Sequence, residues 1–284
     1  MSASGLASLP PLREIIAHHK LGALKSLGQN FLLDLNLTAK IARCAAPLND
    51  LTVLEVGPGP GGLTRALLDE GARHVIAIDM DRRLPPVMDE IATHAPGRLT
   101  FMEGDALTYD LPTDRGEMAI VANLPYNIAT PLLVRWLTVE PWPPVFSRMV
   151  LMFQREVADR ITAQPGTKAY GRLSVLTQWR TVPDRMFDIP PSAFTPPPKV
   201  TSTVVRFDPI VAPLACDRAS LERVTAVAFN RRRKMLRAAL TPLGLPVEPL
   251  LAAAELDPTA RAEPIPVEGF VNLANAYDRM RREA

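Results

Sequence analysis

Thr52-Val53-Leu54-Glu55-Val56-Gly57-Pro58-Gly59-Pro60-Gly61-Gly62 is a short apolar run that breaks abruptly into glycines. Val53, Leu54 and Val56 read as a buried β-strand, and Leu63, Leu67 and Leu68 beyond the glycines fall at helical spacing. The unit is strand, tight glycine-rich turn, helix. In an open parallel α/β sheet such a turn lies at the carboxyl end of the first strand, where nucleotide-like ligands bind. Glycine is required because a Cβ would block the ligand's approach and forbid a positive φ.

Gly57, Gly59 and Gly62 also satisfy G-x-G-x-x-G, so a dinucleotide site has to be weighed. Pro58 and Pro60 count against it, because each removes a backbone N–H that a pyrophosphate would use. A loop poor in donors suits a cofactor without phosphates. Val75-Ile76-Ala77-Ile78-Asp79 is a second buried strand, ending in a carboxylate 22 residues after Gly57. A carboxylate there can take both hydroxyls of a ribose, whether from NAD or from S-adenosylmethionine. A plain tight turn in an α/β protein is the bland alternative.

Working outward, residues 99–103, 118–122 and 149–153 read as further strands, and Thr130-Pro131 is expected to open a helix with Leu133, Trp136 and Leu137 on its apolar face. Strands alternating with helices predict an α/β fold with a doubly wound, mainly parallel sheet. Upstream, Leu12, Ile15 and Ile16 hint at one short helix, residues 20–33 read as an ordered loop, and Asp34 can cap a helix through Cys44. Downstream, residues 156–161 look helical, 173–179 are a mixed apolar segment, and 185–188 and 201–207 are late strands. The proline-dense stretch between those strands is expected to be locked without secondary structure. From residue 208 the strand signals stop and helical spacing takes over, ending in Phe270, Leu273, Ala274 and Tyr277. Two domains follow: residues 1–207, with 1–33 as an extension and cofactor-contacting loop, and a small helical domain over 208–284.

Composition narrows the function classes. With 284 residues and 47% apolar content the chain buries a proper core and is not disordered. Its net charge of +2 means that a nucleic-acid partner must be met by a local patch. Cys44, Cys216 and four scattered histidines make neither a disulfide framework nor a metal-ligand cluster. No apolar run approaches transmembrane length or signal-peptide form, so a soluble, cytoplasmic, monomeric protein without a membrane partner is expected.

Asn123-Leu124-Pro125-Tyr126, at the end of the fourth of these strands, is the sharpest chemical signal. An exocyclic adenine amine is a poor nucleophile because its lone pair is delocalised into the ring. An Asn side-chain oxygen and the next backbone carbonyl can accept hydrogen bonds from its two N–H groups. Proline fixes the turn, and Tyr126 offers a ring face on which a flipped base can stack. An ordinary β-turn is the alternative. Asp105, after the third of these strands, can accept from a cofactor's adenine amine, or merely cap the next helix. Phe194, in the proline-dense loop, can close the other face of the base, or simply pack. Phe229-Asn230-Arg231-Arg232-Arg233-Lys234-Met235-Leu236-Arg237 carries five positive charges and no negative one. On a helix these would form a basic stripe suited to an RNA backbone, a solvated helix face being the rival reading.

Lys25-Ser26-Leu27-Gly28-Gln29-Asn30-Phe31-Leu32, Glu55-Val56-Gly57-Pro58-Gly59, Asn123-Leu124-Pro125-Tyr126-Asn127-Ile128, Tyr170-Gly171-Arg172-Leu173-Ser174 and residues 192–200 together resemble the KsgA-type small-subunit ribosomal RNA adenine dimethyltransferases. The resemblance runs from about residue 20 to the C-terminus; residues 1–19 carry none of it. It implies a class I, Rossmann-like methyltransferase that holds S-adenosylmethionine against Asn30, Leu32, Gly57, Asp79, Asp105 and Asn123. It further implies dimethylation of N6 on two adjacent adenosines in the 3′-terminal hairpin loop of 16S rRNA, in the small subunit or its assembly intermediate. Asp79 departs from the pattern, since many members carry Glu there. The rivals are an erythromycin-resistance-type enzyme acting on large-subunit rRNA and a non-catalytic ribosome-assembly or transcription factor on the same fold. The intact Asn123 to Tyr126 motif argues against the second.

Overall fold

The computed structural model describes residues 5–283. The chain forms two compact units, one built from the chain up to Ala158 together with Asp184–Pro209, the other from Asp159–Pro183 and everything from Ile210 on. The sequence boundary at 207 therefore needs correcting: residues 159–183 belong with the helical unit.

The first unit opens with a 3-10 turn (Gly5–Ser8) and α1 (Leu12–His18), whose Leu12 and Ile15 are buried. A second 3-10 turn (Lys25–Leu27) and the two-residue strand β1 (Phe31–Leu32) follow. In α2 (Leu35–Cys44) the Asp34 carboxylate accepts from the Asn36 N–H at 2.9 Å, the cap its position calls for. Next come β2 (Thr52–Val56), α3 (Gly62–Asp69), β3 (His74–Asp79), α4 (Pro85–His94), β4 (Leu99–Glu103), β5 (Met118–Ala122), α5 (Tyr126–Leu137) and β6 (Phe146–Gln154). Helix α5 begins at Tyr126, four residues earlier than expected, and Pro131 lies inside it. Pro125 supplies the extended N-cap backbone that lets the helix start directly after the Asn123-Leu124 turn.

Beyond α6 (Arg155–Ile161) and α7 (Arg172–Arg180), β7 (Thr181–Ile189), β8 (Phe194–Thr195) and β9 (Ser202–Pro209) complete the strands. The large sheet has the order β4-β3-β2-β5-β6-β9-β7. From β4 to β6 all neighbours are parallel, and β9 runs antiparallel to β6. All five residues of β2 are buried, as a central strand covered on both faces demands. Val53, Ala77, Ala119 and Val150 pack with Leu67, Val87 and Ile91 in one core layer. Leu54, Ile76, Ile120 and Leu151, which alternate with them, are equally buried on the opposite face.

The proline-dense loop is not free of secondary structure. It holds a 3-10 turn (Pro191–Ala193) and β8, which pairs antiparallel with β1 so that Leu32 faces Phe194 and Phe31 faces Thr195. Pairing with the 20–33 loop is what locks it.

The second unit comprises residues 159–161 of α6, α7, residues 181–183 of β7, α8 (Arg218–Asn230), α9 (Leu236–Ala239), α10 (Val247–Ala253) and α11 (Val267–Glu283). Tyr170, Val175 and Trp179 share its core with Val224, Leu250, Phe270 and Leu273. No helix of the described residues is long and apolar enough to cross a membrane.

Candidate active site

The sheet order decides where the site lies. Strand β2 pairs with β3 on one side and β5 on the other, so the chain changes direction between β2 and β5. At such a switch point the loops leaving the two strands part and open a crevice. The glycine-rich turn leaves β2 there, Asp79 ends β3, Asp105 follows β4, and Asn123 to Tyr126 follow β5.

Gly57 and Gly59 have φ of +75° and +50°. A Cβ on Gly59 would meet the Phe31 ring at 3.0 Å, and one on Gly57 would stand 3.7 Å from the Asn123 carbonyl oxygen. Both glycines therefore serve backbone conformation and close approach.

Two adjoining clefts result. The first, about 490 Å³, is lined by Asn30, Phe31, Gly57, Gly59, Asp79, Asn123, Leu124, Pro125, Tyr126 and Phe194 among others. The second, about 650 Å³, is lined by Ile78, Asp79, Met80, Gly104, Asp105 and Ala106 with Pro125 and Ile128. Gly57, Asp79, Pro125 and Leu27 line both. Of the sequence-derived residues, Asn30, Gly57, Gly59, Asp79, Asp105, Asn123, Leu124, Pro125, Tyr126 and Phe194 are thus brought together. Leu32 is not among the lining residues; its side chain is buried in the core beneath.

Polar groups in the clefts are held in definite orientations. Asn123 Nδ2 donates to the Asn30 carbonyl at 3.2 Å. Because a carbonyl can only accept, this contact assigns the amide orientation and makes Oδ1 the remaining acceptor. Tyr126 Oη lies 2.7 Å from Ser202 Oγ, which fixes the ring, and burial pushes the phenol's pKa up. Asp79 accepts the Asp81 N–H at 2.9 Å; burial raises its pKa above the ordinary carboxylate value. Asp105 Oδ1 accepts from the Leu107 N–H at 2.8 Å, so it caps its turn while lining the second cleft.

Behind the crevice Glu55 is fully buried, with Oε2 accepting from Thr64 Oγ1 at 2.7 Å and Oε1 without a partner among the described residues. Burial pushes its pKa up to about 8.

The pair of clefts fits a nucleoside cofactor without phosphates. The Asp79 carboxylate stands at the strand end, Ile78 and Ala106 form apolar walls, and Pro58 and Pro60 leave the turn without two amides that a pyrophosphate would need. Comparison with known proteins gives the family. Residues 22–279 match the family model for ribosomal RNA adenine dimethylase. The chain belongs to the ribosomal RNA adenine dimethylase family. Relatives include the ribosomal RNA small subunit methyltransferase A of Rhodopseudomonas palustris, strain TIE-1, 61% identical over 98% of each chain. That of Bradyrhizobium diazoefficiens is 59% identical over 99% of each. These matches extend across the segment before residue 20, for which the motifs alone provide no counterpart.

Among solved structures, the dimethyladenosine transferase from Plasmodium falciparum has a TM-score of 0.77 at 26% identity, covering 87% of this chain and 96% of that one. The 23S rRNA methyltransferase ErmE has a TM-score of 0.68 at 27% identity, covering 88% and 100%. In this adenine dimethylase family member the fold is that of a class I methyltransferase, and ribosomal RNA is the substrate class of the family.

The basic segment needs a correction. Helix α8 ends at Asn230, residues 231–234 form a turn, and Arg237 alone of the five charges lies on a helix, the short α9. Arg231 leaves helical geometry at the end of α8, and at the start of α9 the amides of Leu236 and Arg237 bond the carbonyls of Ala260 and Pro258. Arg232 is an internal strut: it pairs with Glu263 and donates to the Lys168 carbonyl at 2.7 Å. Arg231 donates to Thr241 Oγ1 at 3.1 Å. Arg233, Lys234 and Arg237 are exposed and have no side-chain partner among the described residues.

Sequence reasoning missed Gln29, Asp81, Arg83 and Ser202. Gln29 stands inside a motif and Asp81 two residues beyond Asp79, but their roles depend on contacts far apart in sequence.

Proposed function

We propose that the enzyme dimethylates N6 of two adjacent adenosines in the 3′-terminal hairpin loop of 16S rRNA, with S-adenosylmethionine as methyl donor. The observation that carries the reading is the oriented amide of Asn123, which leaves Oδ1 as the free acceptor on the wall of the first cleft. The small subunit is favoured over the large by the names of relatives 59–61% identical over nearly the whole chain.

S-adenosylmethionine supplies a methyl group made electrophilic by its sulfonium. Asp79 takes the ribose hydroxyls, Asp105 accepts from the adenine amine, and Gly57 and Gly59 let the backbone come close. Asn30 and the backbone at Leu32 border the donor's other end. On the substrate side the Tyr126 and Phe194 rings sandwich a base taken out of its stack. Asn123 Oδ1 and the Leu124 carbonyl accept the two N–H bonds of the target amine, and Pro125 keeps that carbonyl turned inward. These acceptors hold the lone pair toward the donor and stabilise the positive charge that develops on nitrogen. Once alkylated the amine is acidic, so water suffices as proton acceptor. Arg233, Lys234 and Arg237, from residues 208–284 of the helical unit, meet RNA phosphates. A cytoplasmic monomer acting on small subunits or an assembly intermediate, without a membrane, completes the reading.

The test is to incubate the protein with labelled S-adenosylmethionine and unmodified small subunits, then map the labelled nucleotides. Label on two neighbouring adenosines of the 3′-terminal hairpin loop is expected. No label on small-subunit rRNA, with label appearing when unmodified large subunits are offered in a parallel reaction, overturns the assignment.

A further inference from the structure

Residues 27–31 contribute one wall of the first cleft, yet they form no long element that would hold them there. Their anchorage is a chain of hydrogen bonds to the turn after β3. Gln29 Oε1 accepts the Leu24 N–H at 2.9 Å, so its Nε2 faces the other way and donates to Asp81 Oδ2 at 2.9 Å. Asp81 is 4% exposed, and its carboxylate also takes Arg83 Nε at 2.8 Å and Nη2 at 2.7 Å. Arg83 Nη1 then reaches back to the carbonyls of Gly22 at 3.1 Å and Lys20 at 3.3 Å. The Asp81 N–H is bound to Asp79 Oδ1, and the same loop presents the Asn30 carbonyl to Asn123.

We infer that Gln29, Asp81 and Arg83 are positioning residues that latch residues 20–31 against the ribose-binding turn, so that closing this wall and orienting the Asn123 amide are one event. The inference rests on the proposed function for what the wall encloses, but the latch itself is a statement about this chain. Arg83 grips the beginning of the loop and Gln29 its end, both through one buried carboxylate. A buried carboxylate that loses a donor is left with an unmet acceptor, so the latch is closed or broken and has no soft intermediate. Its two ends reach the donor through Asp79 and the target amine through Asn30 and Asn123.

The experiment exploits the polarity of the Gln29–Asp81 bond. Gln29→Glu keeps the acceptor for the Leu24 N–H but sets a carboxylate against Asp81. Asp81→Asn weakens the grip of Arg83. In the double variant the bond is reversed, the new amide at position 81 donating to the new carboxylate at position 29, and part of the latch returns. Hydrogen exchange at the amides of Leu27, Gly28 and Gln29, measured on the full chain, is expected to quicken about tenfold in each single variant and to recover in the pair. KM for S-adenosylmethionine is expected to rise about tenfold, with kcat falling as Asn123 loses its partner, and both to recover together.

Wild-type exchange and KM in a folded Gln29→Glu protein overturn the latch. So does faster exchange spread evenly over the whole unit with a lowered Tm, which is general destabilisation. Should Gln29→Glu not fold, Gln29→Met, which removes both bonds without adding charge, carries the same expectation. If the wild-type protein methylates no rRNA, the proposed function fails while the exchange data still judge the latch.

Discussion

The side-chain amide of Asn123 and the backbone carbonyl of Asn30 are joined by a hydrogen bond of 3.2 Å, donated by Asn123. One bond thus ties the turn after β5 to the loop before β1. It occupies one of the amide's two N–H donors and leaves free its oxygen, the acceptor that the proposed function assigns to the target amine. Removing that acceptor in Asn123→Ala is expected to cost roughly 1.5–3 kcal/mol of transition-state stabilisation, about 10- to 100-fold in kcat. Asn123→Asp sets an oxygen against the Asn30 carbonyl and is expected to be no better. Turnover assays at saturating S-adenosylmethionine check both; wild-type kcat in Asn123→Ala removes the residue from the chemistry.

The proposed function gives Asp79 the donor's ribose. It accepts one backbone N–H and lines both clefts. Asp79→Ala is expected to weaken S-adenosylmethionine binding by roughly 1.5–3 kcal/mol, read by calorimetry, with the fold intact. Asp79→Glu restores the charge at longer reach, so it tests whether the shorter carboxylate sets the affinity. Unchanged affinity in a folded Asp79→Ala protein rules the ribose contact out.

Glu55 makes the stability of the protein depend on pH. Its carboxyl holds its proton up to about pH 8 when folded and releases it near 4.5 when unfolded. Between those values the unfolded chain binds fewer protons, so stability falls as pH rises; below 4.5 the contribution is fully present. Glu55→Gln, which cannot ionise, is expected to match the wild-type Tm near the lower limit and to exceed it increasingly toward the upper one. Parallel Tm curves across that window would show that Glu55 does not titrate there.

The five basic residues of the segment 231–237 divide into two roles that one assay pair separates. Arg233→Gln with Lys234→Gln is expected to flatten log affinity against log salt by about 0.7 to 0.9 for each phosphate that is no longer neutralised, with Tm unchanged. Arg232→Gln is expected to destabilise the unit by roughly 1–2 kcal/mol, because Glu263 and two carbonyls lose their donor and the site is about one-third exposed. An unaltered salt slope in the first variant would mean that the RNA lies elsewhere.

What could be read without the structure was whatever short-range chemistry encodes. The β2 run, its glycines and the terminal Asp79 announce themselves because strand burial, positive φ and a strand-end carboxylate are local properties. Asn123 to Tyr126 is legible for the same reason. The pairing of β1 with β8 is not, since two-residue strands have no period and their partners lie far apart in sequence. Gln29, Asp81 and Arg83 look like loop residues until hydrogen bonds across the fold connect them. Residues 231–234 read as helical from their charge pattern, but α8 ends at Asn230, and the amides of Leu236 and Arg237 are tied to carbonyls of residues 260 and 258 that lie far off in sequence. Residues 159–183 carry buried Tyr170, Val175 and Trp179, and nothing nearby in sequence says which core receives them.

The interleaving of the two units governs how the protein can be dissected. A stop codon after residue 207 would deliver a chain that still contains 159–183 but none of the helices that cover Tyr170, Val175 and Trp179. Three large apolar side chains would then face water, and the truncated product is expected to aggregate even though it keeps every strand but the last two residues of β9. Ending the chain at residue 158 fails differently, because β9, the antiparallel neighbour of β6, would be missing and β6 would become an open edge. Isolating the sheet unit requires excising residues 159–183 and rejoining the ends, and isolating the helical unit requires fusing that segment to residue 210. Each therefore needs a new covalent junction that simple truncation does not supply.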